Sequence, residues 1–163
     1  MTNVKRFKRL TLVACCLALL GCVSPAMIFT PPKATLASEL SDTEAKRFRM
    51  HPGKASVYVI REDTFAGQAS LFHVSLDGTD QGKLSRGTYF LFIVEPGKHV
   101  INFNGNAQRD AETIYAVEGG IYYLEIRPKS GMAVSPATIR RIDQKRGRRL
   151  VRGGKRARIL STD

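Results

Sequence analysis

Between residues 54 and 142 the chain is cut into short pieces by turn-forming residues, and this punctuation limits its possible folds more than any other feature. Residues 56–61 (SVYVIR) are β-branched and aromatic. Residues 70–76 alternate: Phe72, Val74 and Leu76 share one face, and Leu71, His73 and Ser75 the other. Asp77-Gly78 closes that segment with a dipeptide suited to positive φ. Lys83 and Leu84 mark a short strand, and residues 88–94 (TYFLFIV) are apolar without interruption, as a strand covered on both faces should be. After the turn at Glu95-Pro96-Gly97-Lys98, His99, Ile101 and Phe103 share a face, and Asn104-Gly105 offers another turn. Residues 112–117, 121–127 and 137–142 supply three more segments. Short strands spaced about 8–12 residues apart predict an all-β domain, a small antiparallel β-sandwich of about seven to eight strands over residues 54–142. The expected core contains Val57, Val59, Phe72, Val74, Tyr89, Leu91, Ile101, Phe103 and Leu124.

The flanks read differently. A length of 163 residues leaves room for one domain with appendages. Residues 22–40 mix Pro with small residues and read as a tether. Ser41-Asp42-Thr43-Glu44 has the spacing of a capping box, and helix formers follow until His51-Pro52-Gly53, which predicts a short helix and turn over residues 41–53. Residues 143–163 read as a basic C-terminal tail. After Ile142 a short helix up to about Val151 is plausible, but Gly147, Gly153 and Gly154 make it a poor one.

The net charge of +12 is unevenly placed. Residues 1–21 carry four basic residues and no acid, residues 22–139 carry twelve of each sign, and residues 140–163 carry ten basic residues against Asp143 and Asp163. The body is neutral and the excess lies at the two ends. For the C-terminal run, one reading is a solvated, partly disordered charge segment that improves solubility. The other is a contact with an anionic lipid or glycan through Arg148, Arg149, Arg152, Lys155, Arg156 and Arg158, with Leu150, Val151, Ile159 and Leu160 docking the segment locally.

The N-terminus has the order of a secretory signal: a basic stretch over residues 1–9, then the eleven-residue run LTLVACCLALL at residues 10–20. As a helix that run spans roughly 17 Å, short of a hydrocarbon core of about 30 Å. The sequence Leu19-Leu20-Gly21-Cys22 resembles the lipobox of bacterial lipoproteins. The resemblance implies a signal peptide at residues 1–21, a diacylglyceryl group on the Cys22 thiol, and cleavage just before it. An ordinary signal cut after Ala26 or Ala37, or an uncleaved anchor reaching Phe29, are the alternatives. Cys15 and Cys16 fall inside the apolar run, so a chain cut before Cys22 has one cysteine and no internal disulfide. The expected location is the cell envelope, lipid-anchored. Val23 stands where an inner-membrane retention Asp would be, so the outer membrane is favoured if there are two. Export also removes nucleic acid from the expected partners and leaves the protein partner open.

Several segments together resemble an uncharacterised family of bacterial lipoproteins, domain of unknown function 2846. They are Lys46-Arg47-Phe48, Pro52-Gly53-Lys54, residues 57–61 (VYVIR), Asp77-Gly78 with Gly82, Thr88-Tyr89-Phe90, Pro96-Gly97-Lys98-His99, Gly120-Ile121-Tyr122-Tyr123, and Ile142-Asp143 with Gly147. The resemblance covers about residues 45–150. It implies a small β-sandwich on a lipid anchor and no established activity.

Catalytic chemistry finds little support. Residues 78–84 (GTDQGKL) fall one residue short of a phosphate-binding loop and lack its Ser or Thr. His51, His73 and His99 lie on separate elements without metal-site spacing, and His99 reads as a half-buried histidine bonded near a turn. No C-x-x-C, H-E-x-x-H or G-x-S-x-G occurs. Among the carboxylates Glu62, Asp63, Asp77, Asp80 and Glu125, the two at 77 and 80 read as turn residues and Glu125 as the solvent face of a strand. Alternation places Tyr122 with the core and leaves Tyr123 as the better exposed of the pair. The expectation is a non-catalytic membrane-anchored lipoprotein, a structural or interaction module without cofactor or metal. The alternative is an envelope hydrolase with a scattered site.

Overall fold

The computed structural model describes residues 30–105, 109–129 and 136–160. Cys22, the signal segment and most of the tether lie outside the described residues. Nine strands form two sheets: β1 (Ala55–Arg61), β2 (Phe72–Leu76), β3 (Thr79–Leu84), β4 (Thr88–Val94), β5 (Gly97–Asn104), β6 (Arg109–Ala116), β7 (Ile121–Pro128), β8 (Ala137–Arg141) and β9 (Lys155–Arg156). Two short helices accompany them, α1 (Glu39–Ala45) and α2 (Gln144–Gly153).

One sheet has the order β8-β7-β1-β4-β9 and the other β3-β2-β5-β6. The four-stranded sheet is antiparallel throughout. The five-stranded sheet departs from the antiparallel expectation, because β1 runs parallel to β7 and β4 parallel to β9. Between β1 and β7 the chain crosses to the second sheet for β2 and β3, returns to the first for β4, and crosses again for β5 and β6.

Strand β1 is buried at all seven positions, and β4 is buried except at Ile93. The alternate residues face different cores. Val57, Val59, Phe90 and Phe92 join Phe72, Val74, Ile101, Phe103 and Leu124 in a cluster shared by both sheets. Tyr58, Ile60, Tyr89, Leu91 and Tyr123 form a second cluster on the opposite face, with Ala45, Phe48 and Val151 from the helical segments. The uninterrupted apolar run at 88–94 therefore reflects two covered faces. Every residue of the expected core is buried, but Tyr89 and Leu91 belong to the second cluster rather than the inter-sheet one. Phe72 and Phe103 meet edge to face, their centroids 5.4 Å apart, so truncating either removes a packed pair worth about 3–5 kcal/mol.

Turn chemistry holds where it was expected. Asp77 and Gly78 both have positive φ, the requirement of the tight hairpin joining β2 to β3. The Asp77 carboxylate accepts from the Val100 amide at 2.8 Å and pairs with Nδ1 of His99 at 2.6 Å, while Nε2 of His99 meets the Glu95 carbonyl at 2.8 Å.

Both ends need correction. The first helix begins at Glu39, capped by Ser38, whose hydroxyl accepts from the Ser41 amide; Ser41 is not its cap. It ends at Ala45, before the His51-Pro52-Gly53 turn. Residues 34–37 lie against the C-terminus: Leu36 bridges Ala157, the Ala37 amide donates to the Arg156 carbonyl, and the Arg158 amide donates to the Thr35 carbonyl. Residues 144–156 are not a disordered run, because α2 and β9 pack on the five-stranded sheet. The glycine that argued against a helix is what lets it dock. A Cβ on Gly147 would sit 2.3 Å from Cγ of Tyr123.

Candidate functional site

The basic C-terminal segment becomes a surface through the way α2 is fixed. Its N-cap, Asp143, accepts from the Arg146 amide at 2.9 Å. The Arg146 guanidinium turns inward and grips Glu125, Nη2 to Oε1 at 2.7 Å and Nε to Oε2 at 3.2 Å, and it reaches Glu62 at 3.0 Å. Arg140 and Arg127 stand 3.7 and 3.9 Å from the same Glu125 carboxylate. Burial alone would raise the Glu125 pKa, but the Arg146 bonds and the surrounding positive charge outweigh it and hold the group below the ordinary carboxylate range. Glu125 is fully buried and Tyr123 is 2% exposed, so the expectation that this face of β7 meets solvent is overturned. The helix that covers it is the one that the sequence makes plausible but poor in helix formers, and it runs to Gly153.

With Arg146, Gly147, Leu150 and Val151 turned toward the sheet, Lys145, Arg148, Arg149 and Arg152 fall at i, i+3, i+4 and i+7 and form one stripe. The guanidinium of Arg148 lies 5.0 Å from the centroid of the Phe48 ring, and that of Arg152 lies 5.6 Å from it. Phe48 itself has φ +52, an unusual backbone state for a bulky residue, and is held there by packing against Tyr58 and Tyr123. Arg148, Arg149, Arg152, Lys155 and Arg158 have no carboxylate partner among the described residues. Arg156 is different: its Nη1 donates to the Ser41 hydroxyl at 2.6 Å and to the Ser41 carbonyl at 3.2 Å, so it is engaged within the fold. The structure thus gathers Arg148, Arg149 and Arg152 on one helix face, adds Lys145, which sequence reading had not singled out, and places Lys155 and Arg158 on the exposed segment beyond it. The signal for Lys145 was its i, i+3, i+4 spacing from the arginines, invisible until the helix is accepted.

The remaining candidates are accounted for as structure. Asp63 pairs with Arg86 at 2.6 Å, and His73 stands 3.9 Å from Asp80. The buried guanidinium of Arg61, 1% exposed, donates to the Glu62 carbonyl at 2.6 Å, to Thr64 Oγ1 at 3.2 Å and to the Ala66 carbonyl, tying down the loop after β1. Burial, with a contribution from Arg86, pushes its pKa down to about 10. The Tyr122 hydroxyl donates to the Tyr115 carbonyl and accepts from the Val117 amide, both at 3.0 Å, and Arg141 lies 4.9 Å from its ring centroid. Residues 79–84, the segment resembling a phosphate loop, form β3. Among the described residues no three metal-ligating side chains converge, and no helix is long and apolar enough to cross a membrane.

No curated protein matches the chain. A family model does match, from the turn before β1 to the first residue of β8; it takes in the four-stranded sheet and β1, β4 and β7 of the other but neither helix, so the basic stripe lies outside the matched segment. That model, Protein of unknown function (DUF2846), covers residues 51–137, and the chain belongs to this family.

Proposed function

We propose that the protein is a non-catalytic lipoprotein of the bacterial cell envelope, a β-sandwich anchored through acylated Cys22, whose α2 stripe contacts an anionic surface of lipid head groups or glycan. The observation that carries this reading is the stripe itself. Lys145, Arg148, Arg149 and Arg152 are like charges at i, i+3 and i+4, an arrangement that weakens a helix unless something opposite neutralises it. The two sheets with their shared core support the sandwich reading of the fold.

Chain geometry supports the membrane as that surface. Eight peptide steps separate Cys22 from Thr30, a reach of at most roughly 29 Å. Residues 35–37 run beside Arg156–Arg158, only a few residues past the end of α2. A domain so tethered stays close to the bilayer, where each basic residue near an anionic surface contributes about 1 kcal/mol within a Debye length of about 8 Å. Absence of aspartate after Cys22 favours the outer membrane where there are two.

The ionised, fully partnered Glu125 fits a structural ion pair better than a general base, which supports a non-catalytic role. Two experiments test the proposal. Cys22→Ser should leave the precursor uncut or release it from membranes; normal membrane partition with an unchanged N-terminus overturns the anchor. Residues 30–163, prepared without an anchor, should bind anionic vesicles at low salt and lose them at moderate salt. Equal binding to neutral vesicles, or indifference to salt, overturns the charge contact.

A further inference from the structure

Among the described residues, both helices pack against the five-stranded sheet and none lies on the outer face of the four-stranded sheet. On that face lies a groove of about 660 Å³. Its walls come from paired positions on adjacent strands: His73 opposite Asn104, Ser75 opposite Asn102, Asn104 opposite Arg109, and Asn102 opposite Ala111. The inward neighbours Phe72, Val74, Ile101 and Phe103 are all buried, so the register sends the polar set outward together.

Asparagine is depleted in strands, yet β5 places two of them on one face. Neither side-chain amide has a hydrogen-bond partner among the described residues, and the same holds for the Ser75 hydroxyl and the Arg109 guanidinium. At Asn102, inside β5, local preference is thus set aside without a compensating bond among the described residues, the pattern expected where a site faces a ligand. Each amide offers two donors and an acceptor. His73, Ser75, Asn102 and Asn104 mark a rectangle of roughly 7 by 5 Å, set by two residues along a strand and one strand spacing across. That is the footprint of one pyranose ring with its substituents. Ala111, with no side chain beyond Cβ, leaves the floor low. Asp80 and Asp110 line the same groove as Arg109, so the site has no excess positive charge to select a polyanion.

We propose that this groove binds one unit of a neutral, hydroxyl- and amide-bearing glycan, with Asn102 and Asn104 as the principal contacts and Ser75, His73 and Arg109 at its border. The site faces away from the helical layer and is independent of the charge contact proposed above.

The test is titration of the full-length protein in neutral detergent micelles with an N-acetylglucosamine tetrasaccharide, followed by calorimetry. Saturable binding is expected, weakened at least about tenfold by the double variant Asn102→Ala/Asn104→Ala, which removes two ligand hydrogen bonds. Ala111→Phe, which fills the floor and leaves every polar group in place, should abolish it. Arg149→Gln should leave it unchanged, and unfolding temperature reports whether each variant is folded. No saturable binding by the wild type, equal affinity in the wild type and Ala111→Phe, or binding of an extended tetra-alanine peptide in place of the saccharide overturns the assignment.

Discussion

The hydroxyl of Tyr89, near the start of β4, donates to Oδ1 of Asp42 in α1 at 2.8 Å. The same carboxylate accepts from the Arg156 amide at 2.8 Å and from Nζ of Lys46 at 2.6 Å, and Lys46 also reaches the Gly154 carbonyl at 2.8 Å. One side chain therefore joins the N-terminal helix, a central strand and the C-terminal strand.

Asp42→Ala should be strongly destabilising for that reason. It leaves the Arg156 amide without an acceptor and the buried Tyr89 hydroxyl with only the long 3.4 Å contact to the residue-42 carbonyl, for a loss of about 3 kcal/mol in chemical unfolding. Tyr89→Phe removes only one donor and should cost about 1 kcal/mol. A loss for Asp42→Ala no larger than for Tyr89→Phe would show that the three-way junction is not stabilising.

Breaking the Glu125–Arg146 pair should cost more. Arg146→Ala strips both hydrogen bonds from a fully buried carboxylate and leaves it only the looser charges of Arg127 and Arg140, an effect approaching about 3–5 kcal/mol. The pH dependence has a definite sign. Glu125 and Asp42 both have folded pKa values held below the ordinary range; for each, burial opposes the shift and the hydrogen bonds and neighbouring positive charges prevail. Their contribution is complete above the unfolded values, about 4.3 for Glu and 3.9 for Asp, and is lost as pH falls through the folded values. Stability should be flat through neutral pH and drop below about pH 4. Thermal melts of Glu125→Gln should show a shallower acid slope than the wild type.

Gly147→Ala should reverse the usual effect of that substitution. In an exposed helix it stabilises by about 1 kcal/mol. Here the new methyl group would overlap the Tyr123 ring, and overpacking of this kind costs about 1–3 kcal/mol. A double-mutant cycle with Tyr123→Ala should reveal a coupling of that size, since the smaller residue gives the methyl group room.

What could be read from the sequence were the features with local causes. Alternation gave Phe72 and Val74, the uninterrupted run gave a strand covered twice, and Asp77-Gly78 and His99 gave a turn with its histidine. The misreadings share another cause. Tyr123 and Glu125 look like the wet face of a strand until α2 is placed over them, and α2 looks like a poor helix until Tyr123 is known to occupy the space that Gly147 leaves. Each assignment depends on the other across more than twenty residues, and propensity carries no information about such a pair. Asn102 and Asn104 were not singled out as a pair, because their shared outward face and their lack of partners among the described residues need the register.

The six basic residues first considered as one contact should separate by experiment. Arg149 is exposed on the stripe, whereas Arg156 is bonded to Ser41 and its amide to Asp42. Arg149→Gln should weaken binding to anionic vesicles about fivefold, the equivalent of about 1 kcal/mol, with little change in melting temperature. Arg156→Gln should do the reverse: it gives up the bonds to Ser41, lowers stability by about 1–2 kcal/mol, and leaves vesicle binding per folded molecule unchanged. Arg148→Gln should do some of both, because its guanidinium also covers the Phe48 ring, a contact worth about 0.5–1 kcal/mol at an exposed site. Vesicle flotation and thermal melts on the three variants measure the two effects separately. If Arg156→Gln weakens flotation as much as Arg149→Gln does, the contact is spread over the whole C-terminal segment and is not confined to the α2 stripe.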